Sequence, residues 1–101
     1  MYKSEKVRNR TRAVLDAAIA LAERTGMQAV TRPRVAAESG LSVGTVSNAF
    51  GTMDALRDAV LSAAVERELV AIVAQGLAAR HPIALNAPPA LRQRALETLV
   101  A

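Results

Sequence analysis

Apolar residues recur along most of this chain at intervals of three and four. Val14, Leu15, Ala18, Ile19 and Ala22 make one stripe of a helix over roughly 8–24, with polar residues on its other sides. Gly26 stands where that helix must end and is placed for a left-handed C-terminal residue. Met27, Ala29 and Val30 form a short connection. Thr31 is placed to cap a second helix, with Pro33 in its first turn, where a missing N–H costs little. Val35 and Ala36 face inward on that helix. Gly40, Leu41 and Ser42 then give a break, an apolar plug and a cap, and Val46, Ala49 and Phe50 return to the core at helical spacing. Gly51 stops the third helix. Thr52 caps a fourth, with Asp54 favourably placed in its first turn. The spacing predicts one long fourth helix over about 53–79. Leu56, Val60 and Ala63 form one stripe on it, and Leu61, Val65, Leu69, Ile72, Val73, Gly76 and Leu77 a broader one. Pro82 ends it, and residues 86–89 read as a stiff connector. A last amphipathic helix carries Leu91, Ala95, Leu96, Leu99 and Val100 on one side and Arg92 and Arg94 on the other.

The centre of this plan is TRPRVAAESGLSVGTVSNAFG, residues 31–51, which reads as a helix, a tight turn and a second helix. Ala36 is small because the two helices cross closely there. On the second of them Val43, Gly44, Ser47 and Asn48 fall at i, i+1, i+4 and i+5, on one side. None is charged, whereas an ordinary solvated helix face carries Lys and Glu. Small, neutral groups with hydrogen-bonding capacity suit the floor of a DNA major groove, where base edges and thymine methyls are read at close range. The plainer alternative is a helical hairpin buried against the rest of its domain.

Charge sharpens the reading. Of the formal +4, residues 1–34 contribute +5, from eight basic groups against three acidic ones, and residues 35–101 contribute −1. The excess thus lies in the N-terminal arm, the first helix and the start of the helix-turn-helix. A basic footprint beside a groove-reading helix is what phosphate contact requires. The 101 residues suffice for one small domain with a modest core, half of the chain is apolar and only Tyr2 and Phe50 are aromatic, so an all-α class is expected. No cysteine is present, hence no disulfide framework or thiolate metal site. The charged N-terminus has no apolar segment of a signal peptide, and no stretch approaches a membrane span free of charge. His81 reads as a surface or capping residue. Asp54 with Asp58, and Glu66 with Glu68, read as a solvated helix face rather than acid–base pairs. No nucleophile–base partnership, phosphate loop or metal cluster is visible, so neither an enzyme nor a cofactor is expected.

As a set, LDAAIALAERTG followed by TRPRVAAESGLSVGTVSNAFGTMDAL resembles the DNA-binding domain of the TetR family of transcriptional regulators, from about residue 14 to 61. SGLSVGTVSN is also similar to the reading head of the Lac-repressor family, but there the helix-turn-helix opens the chain with no long helix before it. The TetR resemblance implies a homodimeric repressor on a palindromic operator. TetR-family members usually carry an aromatic where this chain has Ser47, histidine or tyrosine at Ala49, and lysine at Met53, groups that commonly grip phosphate. Here all three are replaced, which shifts the expected grip to Thr31, Arg32, Arg34 and an arm bearing Arg8, Arg10 and Arg12. Thr45 matches the family's threonine.

The expectation is therefore an all-α chain. Residues 1–52 form a basic arm and helix-turn-helix domain, and residues 53–101 form a helical dimerisation region of one long helix and one short one. DNA contacts are expected from Arg8, Arg10, Arg12, Thr31, Arg32, Arg34, Ser42, Val43, Gly44, Thr45, Ser47 and Asn48. A dimer seam is expected from Leu69, Ile72, Val73, Gly76, Leu77, Leu96, Leu99 and Val100, because a helix apolar nearly all round must be covered on more than one side. The expected function is that of a cytoplasmic, nucleoid-associated repressor without a large effector pocket. An effector site between subunits and a helical protein-interaction module are the alternatives.

Overall fold

The computed structural model describes the backbone of residues 2–100 and the side chains of residues 5–100. Every regular element among them is helical: α1 (Tyr2–Thr25), α2 (Arg32–Ser39), α3 (Val43–Phe50), α4 (Met53–Arg67), α5 (Val70–Ala78), α6 (Pro82–Leu85) and α7 (Pro89–Val100), with one turn of 3₁₀ helix, Met27–Ala29, after α1. Contacts divide the chain into two compact units, Met1–Arg57 and Asp58–Ala101. The sequence had placed the division at 52/53.

In the first unit α1, α2 and α3 pack against one another in every pairing. Val14, Ala18, Ala22, Val30, Val35 and Val46 are buried at their centre, with Leu56 from the start of α4. Removing such side chains from water is what holds so small a unit together. α1 begins at Tyr2, not near residue 8. The segment read as an arm ahead of the first helix is therefore helical from Tyr2, and Met1 lies outside the described residues. No glycine or proline interrupts 2–25, and Glu5 sits favourably in the first turn.

At the turn, Gly40 adopts φ 74°, ψ 14°, and its N–H donates to Ala36 O at 3.0 Å. This left-handed position suits a residue without Cβ. Gly26 ends α1 with the positive φ expected of it, 110°, but its ψ of 163° lies outside the αL basin, in a conformation essentially reserved for glycine. Thr31 occupies the cap position of α2 without a side-chain cap hydrogen bond. Ser42 does cap α3, its Oγ accepting from Thr45 N at 3.1 Å, and Thr52 Oγ1 accepts from Ala55 N at 3.0 Å in the first turn of α4. An ion pair at 2.8 Å ties Arg24 of α1 to Glu38 of α2. The hydrogen bond from Arg24, reinforced by its charge, holds the Glu38 carboxyl below the usual carboxylate range.

The second unit corrects the long helix. α4 stops at Arg67 because Glu68 turns left-handed at φ 55°. Leu69 N–H then donates to Ala64 O at 2.8 Å and Glu68 N–H to Val65 O at 3.4 Å, the paired bonds of a Schellman cap. Arg80, at φ 57°, ends α5 the same way, with His81 N–H to Gly76 O at 2.8 Å and Arg80 N–H to Leu77 O at 3.0 Å. α5 packs on α6 and α7. Pro82, read as the end of the long helix, opens a short one, α6, whose cap is His81: Nδ1 accepts from Ile83 N at 3.2 Å. Its proton is thereby assigned to Nε2, which faces Asp58 Oδ1 at 2.8 Å.

The packing also corrects the expected seam. Ile72 and Val73 are fully buried, and Gly76 is buried where Ala84 and Leu61 approach so closely that a Cβ would lie 2.7 Å from each. These three residues belong to the interior of the unit and have no surface for a second subunit. Leu69 and Leu77 are half-buried. α7 buries Leu91 and Ala95 but leaves Leu96, Leu99 and Val100 exposed, so the single apolar side read from the sequence is two sides.

Candidate nucleic-acid interface

The elements of the first unit turn one side of α3 outward. Val46 is buried, and Thr45 and Ser47 are half-buried at the flanks. Val43, Gly44 and Asn48 are exposed, Val43 by 47%. The expected outer face is thus mostly accessible, with Ser47 at its edge. An added Cβ at Gly44 would find nothing nearer than Ser42 Oγ at 3.9 Å. The protein itself could hold a side chain there, and glycine inside a helix costs about 1 kcal/mol relative to alanine. The open space is of use to something outside the chain that must come close.

Ser42 and Thr45 are tied together, their hydroxyl oxygens 2.8 Å apart in addition to the cap bond. Either hydroxyl can donate to the other, so one hydroxyl proton of the pair stays available to an external acceptor.

Five arginines of α1 and α2 form no ion pair with another described residue. Arg24, Arg57 and Arg94 each pair with a carboxylate, those of Glu38, Asp54 and Glu68. Arg8, Arg10, Arg12, Arg32 and Arg34 are exposed, and no ion pair joins them to another described residue. Arg32 and Arg34 lie in the first turn of α2, beside a cap residue that supplies no side-chain acceptor. Positive charge at the positive end of a helix dipole is unfavourable, so the fold gains nothing from them there, whereas an anion at that end is stabilised.

The three arginines expected to act together from an arm are separated by the helix they occupy. Arg10 lines a cleft with Val7 and Thr11 of α1 and Thr45, Asn48 and Ala49 of α3. Arg8 and Arg12, one turn apart, line another depression with Glu5 and Asn9. Two residues along a helix is a rotation of about 200°, which sets Arg10 on the opposite side from its neighbours. Sequence reasoning missed Val7, Thr11 and Ala49 as part of this surface. The signal was present, because Val7, Arg10 and Thr11 precede Val14 by seven, four and three and so continue its stripe.

No helix among the described residues is long and apolar enough to cross a membrane. Residues 14–60 match the family described as bacterial regulatory proteins, tetR family. The chain matches no curated protein and no solved structure.

Proposed function

We propose that this chain, whose residues 14–60 match the TetR-family DNA-binding domain, is a DNA-binding transcriptional regulator, and more closely a repressor occupying an inverted-repeat operator as a homodimer. The observation that carries this reading is the uncharged, exposed face of α3 beside a cleft lined by Arg10, which has no acidic partner among the described residues. Val43 is matched to a thymine methyl, Asn48 to an adenine edge, and Arg32 and Arg34 to phosphates at the start of α2. Ser42 and Thr45 border the face of α3, and Thr31, at the cap position of α2, is assigned to phosphate with Arg32 and Arg34.

One helix-turn-helix touches few base pairs, so selectivity calls for two copies related by a two-fold axis. Leu96 and Leu99, each 48% exposed, and Val100, 86% exposed, support α7 as the place where they meet. Such a repressor works in the bacterial cytoplasm on the nucleoid.

Selection of bound sequences from a random duplex pool tests the proposal. An inverted repeat should be enriched. Affinity for it should fall with salt at a log–log slope near −7, for about eight phosphates neutralised by the dimer. A pool that enriches no sequence, under salt low enough for binding, would refute the repressor reading.

A further inference from the structure

We propose that the cleft between α1 and α3 seats one phosphate of the DNA strand that α3 reads, with Arg10 as its cation. This rests on the DNA-binding reading above and divides the basic N-terminal segment into a part that touches DNA and a part that does not.

The apolar stripe of α1 covers the core of the first unit as far as Val14, which is fully buried. One turn and two turns earlier the same stripe continues with Thr11 and Arg10 and then Val7, which is 58% exposed. There it lines a cleft shared with Thr45, Asn48 and Ala49 of α3. The small side chain of Ala49 keeps this cleft open. Thr11 donates its hydroxyl to Val7 O at 2.9 Å, so it offers an incoming group no proton. The donors left are the Arg10 guanidinium, with no ion pair to another described residue, the Asn48 amide and the spare hydroxyl proton of the Ser42–Thr45 pair; of these only Arg10 is charged.

A fixed cation and a hydroxyl at the flank of a groove-reading helix match a phosphate oxygen, and a guanidinium binds one through charge-assisted hydrogen bonds. Asn48, which lines the same cleft and is exposed on α3, is assigned to a base edge beside that phosphate. The phosphate fixes the register at which Asn48 meets that base, since backbone contacts position and base contacts specify. Arg8 and Arg12 line a separate depression with Glu5 and Asn9 and are assigned no part in this contact.

The test measures binding of the intact chain to its selected duplex, and to a duplex altered at the base pair that Asn48 reads, across a range of salt. Arg10→Ala should lower affinity for both duplexes about tenfold at low salt. It should also reduce the salt slope by about one per bound chain. Arg10→Lys should restore the slope. In a double-mutant cycle Arg10→Ala and Asn48→Ala should be non-additive, the second change costing less once register is lost. The Arg8→Ala, Arg12→Ala double variant should leave the slope as in the wild type. If Arg10→Ala leaves the slope unchanged, or the Arg8/Arg12 variant flattens it as much, the cleft assignment is overturned while the repressor reading stands. If the wild type binds no duplex selectively, both fall together.

Discussion

Asn48 is the residue on which sequence discrimination should turn. It is exposed, uncharged and one turn along α3 from Gly44, which leaves room for close approach. An amide of this kind can make two hydrogen bonds to an adenine edge, and a good pair discriminates by about 1–3 kcal/mol. Asn48→Ala should therefore cost about that much on the best duplex and relax preference at one base pair per half-site. Competition binding against single-base variants reads this out. An equal loss on every sequence would make Asn48 a positioning contact only. Ser42 differs from Asn48, because its Oγ is occupied by the cap of α3 and by Thr45. Its replacement would damage the helix as well as any contact.

Among the elements, the break after α4 is the one that rearranges the second unit. Glu68 and Arg80 hold left-handed conformations that glycine adopts more easily, each at a cost on the order of 1 kcal/mol. The Glu68 break is braced by Arg94 of α7, whose Nη1 lies 2.6 Å from Glu68 Oε1. It frees α5 to turn and pack against α6 and α7. At Gly76 that packing is so close that a Cβ would stand 2.7 Å from Ala84 Cβ and from Leu61 Cδ2. Ordinarily glycine to alanine inside a helix is stabilising. Here Gly76→Ala should instead destabilise by about 1–3 kcal/mol, as overpacking does. Urea unfolding followed by circular dichroism tests the sign, and an unchanged or raised midpoint would refute the close approach.

For the whole molecule, burial separates two kinds of apolar residue that look alike in the sequence. Ile72 is fully buried inside the second unit, so Ile72→Asp should unfold that unit by placing a charge in its interior. Leu96 and Leu99 are half exposed. The Leu96→Asp, Leu99→Asp double variant should keep its helical circular dichroism, become monomeric in light scattering and lose affinity for the inverted repeat with no DNA-facing residue altered. Wild-type chain that remains monomeric at micromolar concentration yet still prefers an inverted repeat would defeat the α7 seam.

The helix-turn-helix was legible from residue types alone because its determinants are local. Gly40 needs a positive φ, Ser42 caps within its own turn, and Val46 follows the helical period inward. The all-helical class followed from the same periodicity. The end of α4 was not legible, because no glycine or proline marks it and Glu68 is stabilised by a partner 26 residues away. For the same reason the sequence could recognise Ile72, Val73 and Gly76 as residues that must be covered without showing that α6, α7 and Leu61 cover them. The sequence reading began the stripe of α1 at Val14, although Val7 and Arg10 continue its period. Only the packing of α1 along α3 decided that this end of the stripe overhangs the reading helix, because a helix fixes the angles between its side chains while tertiary contacts fix what each side meets.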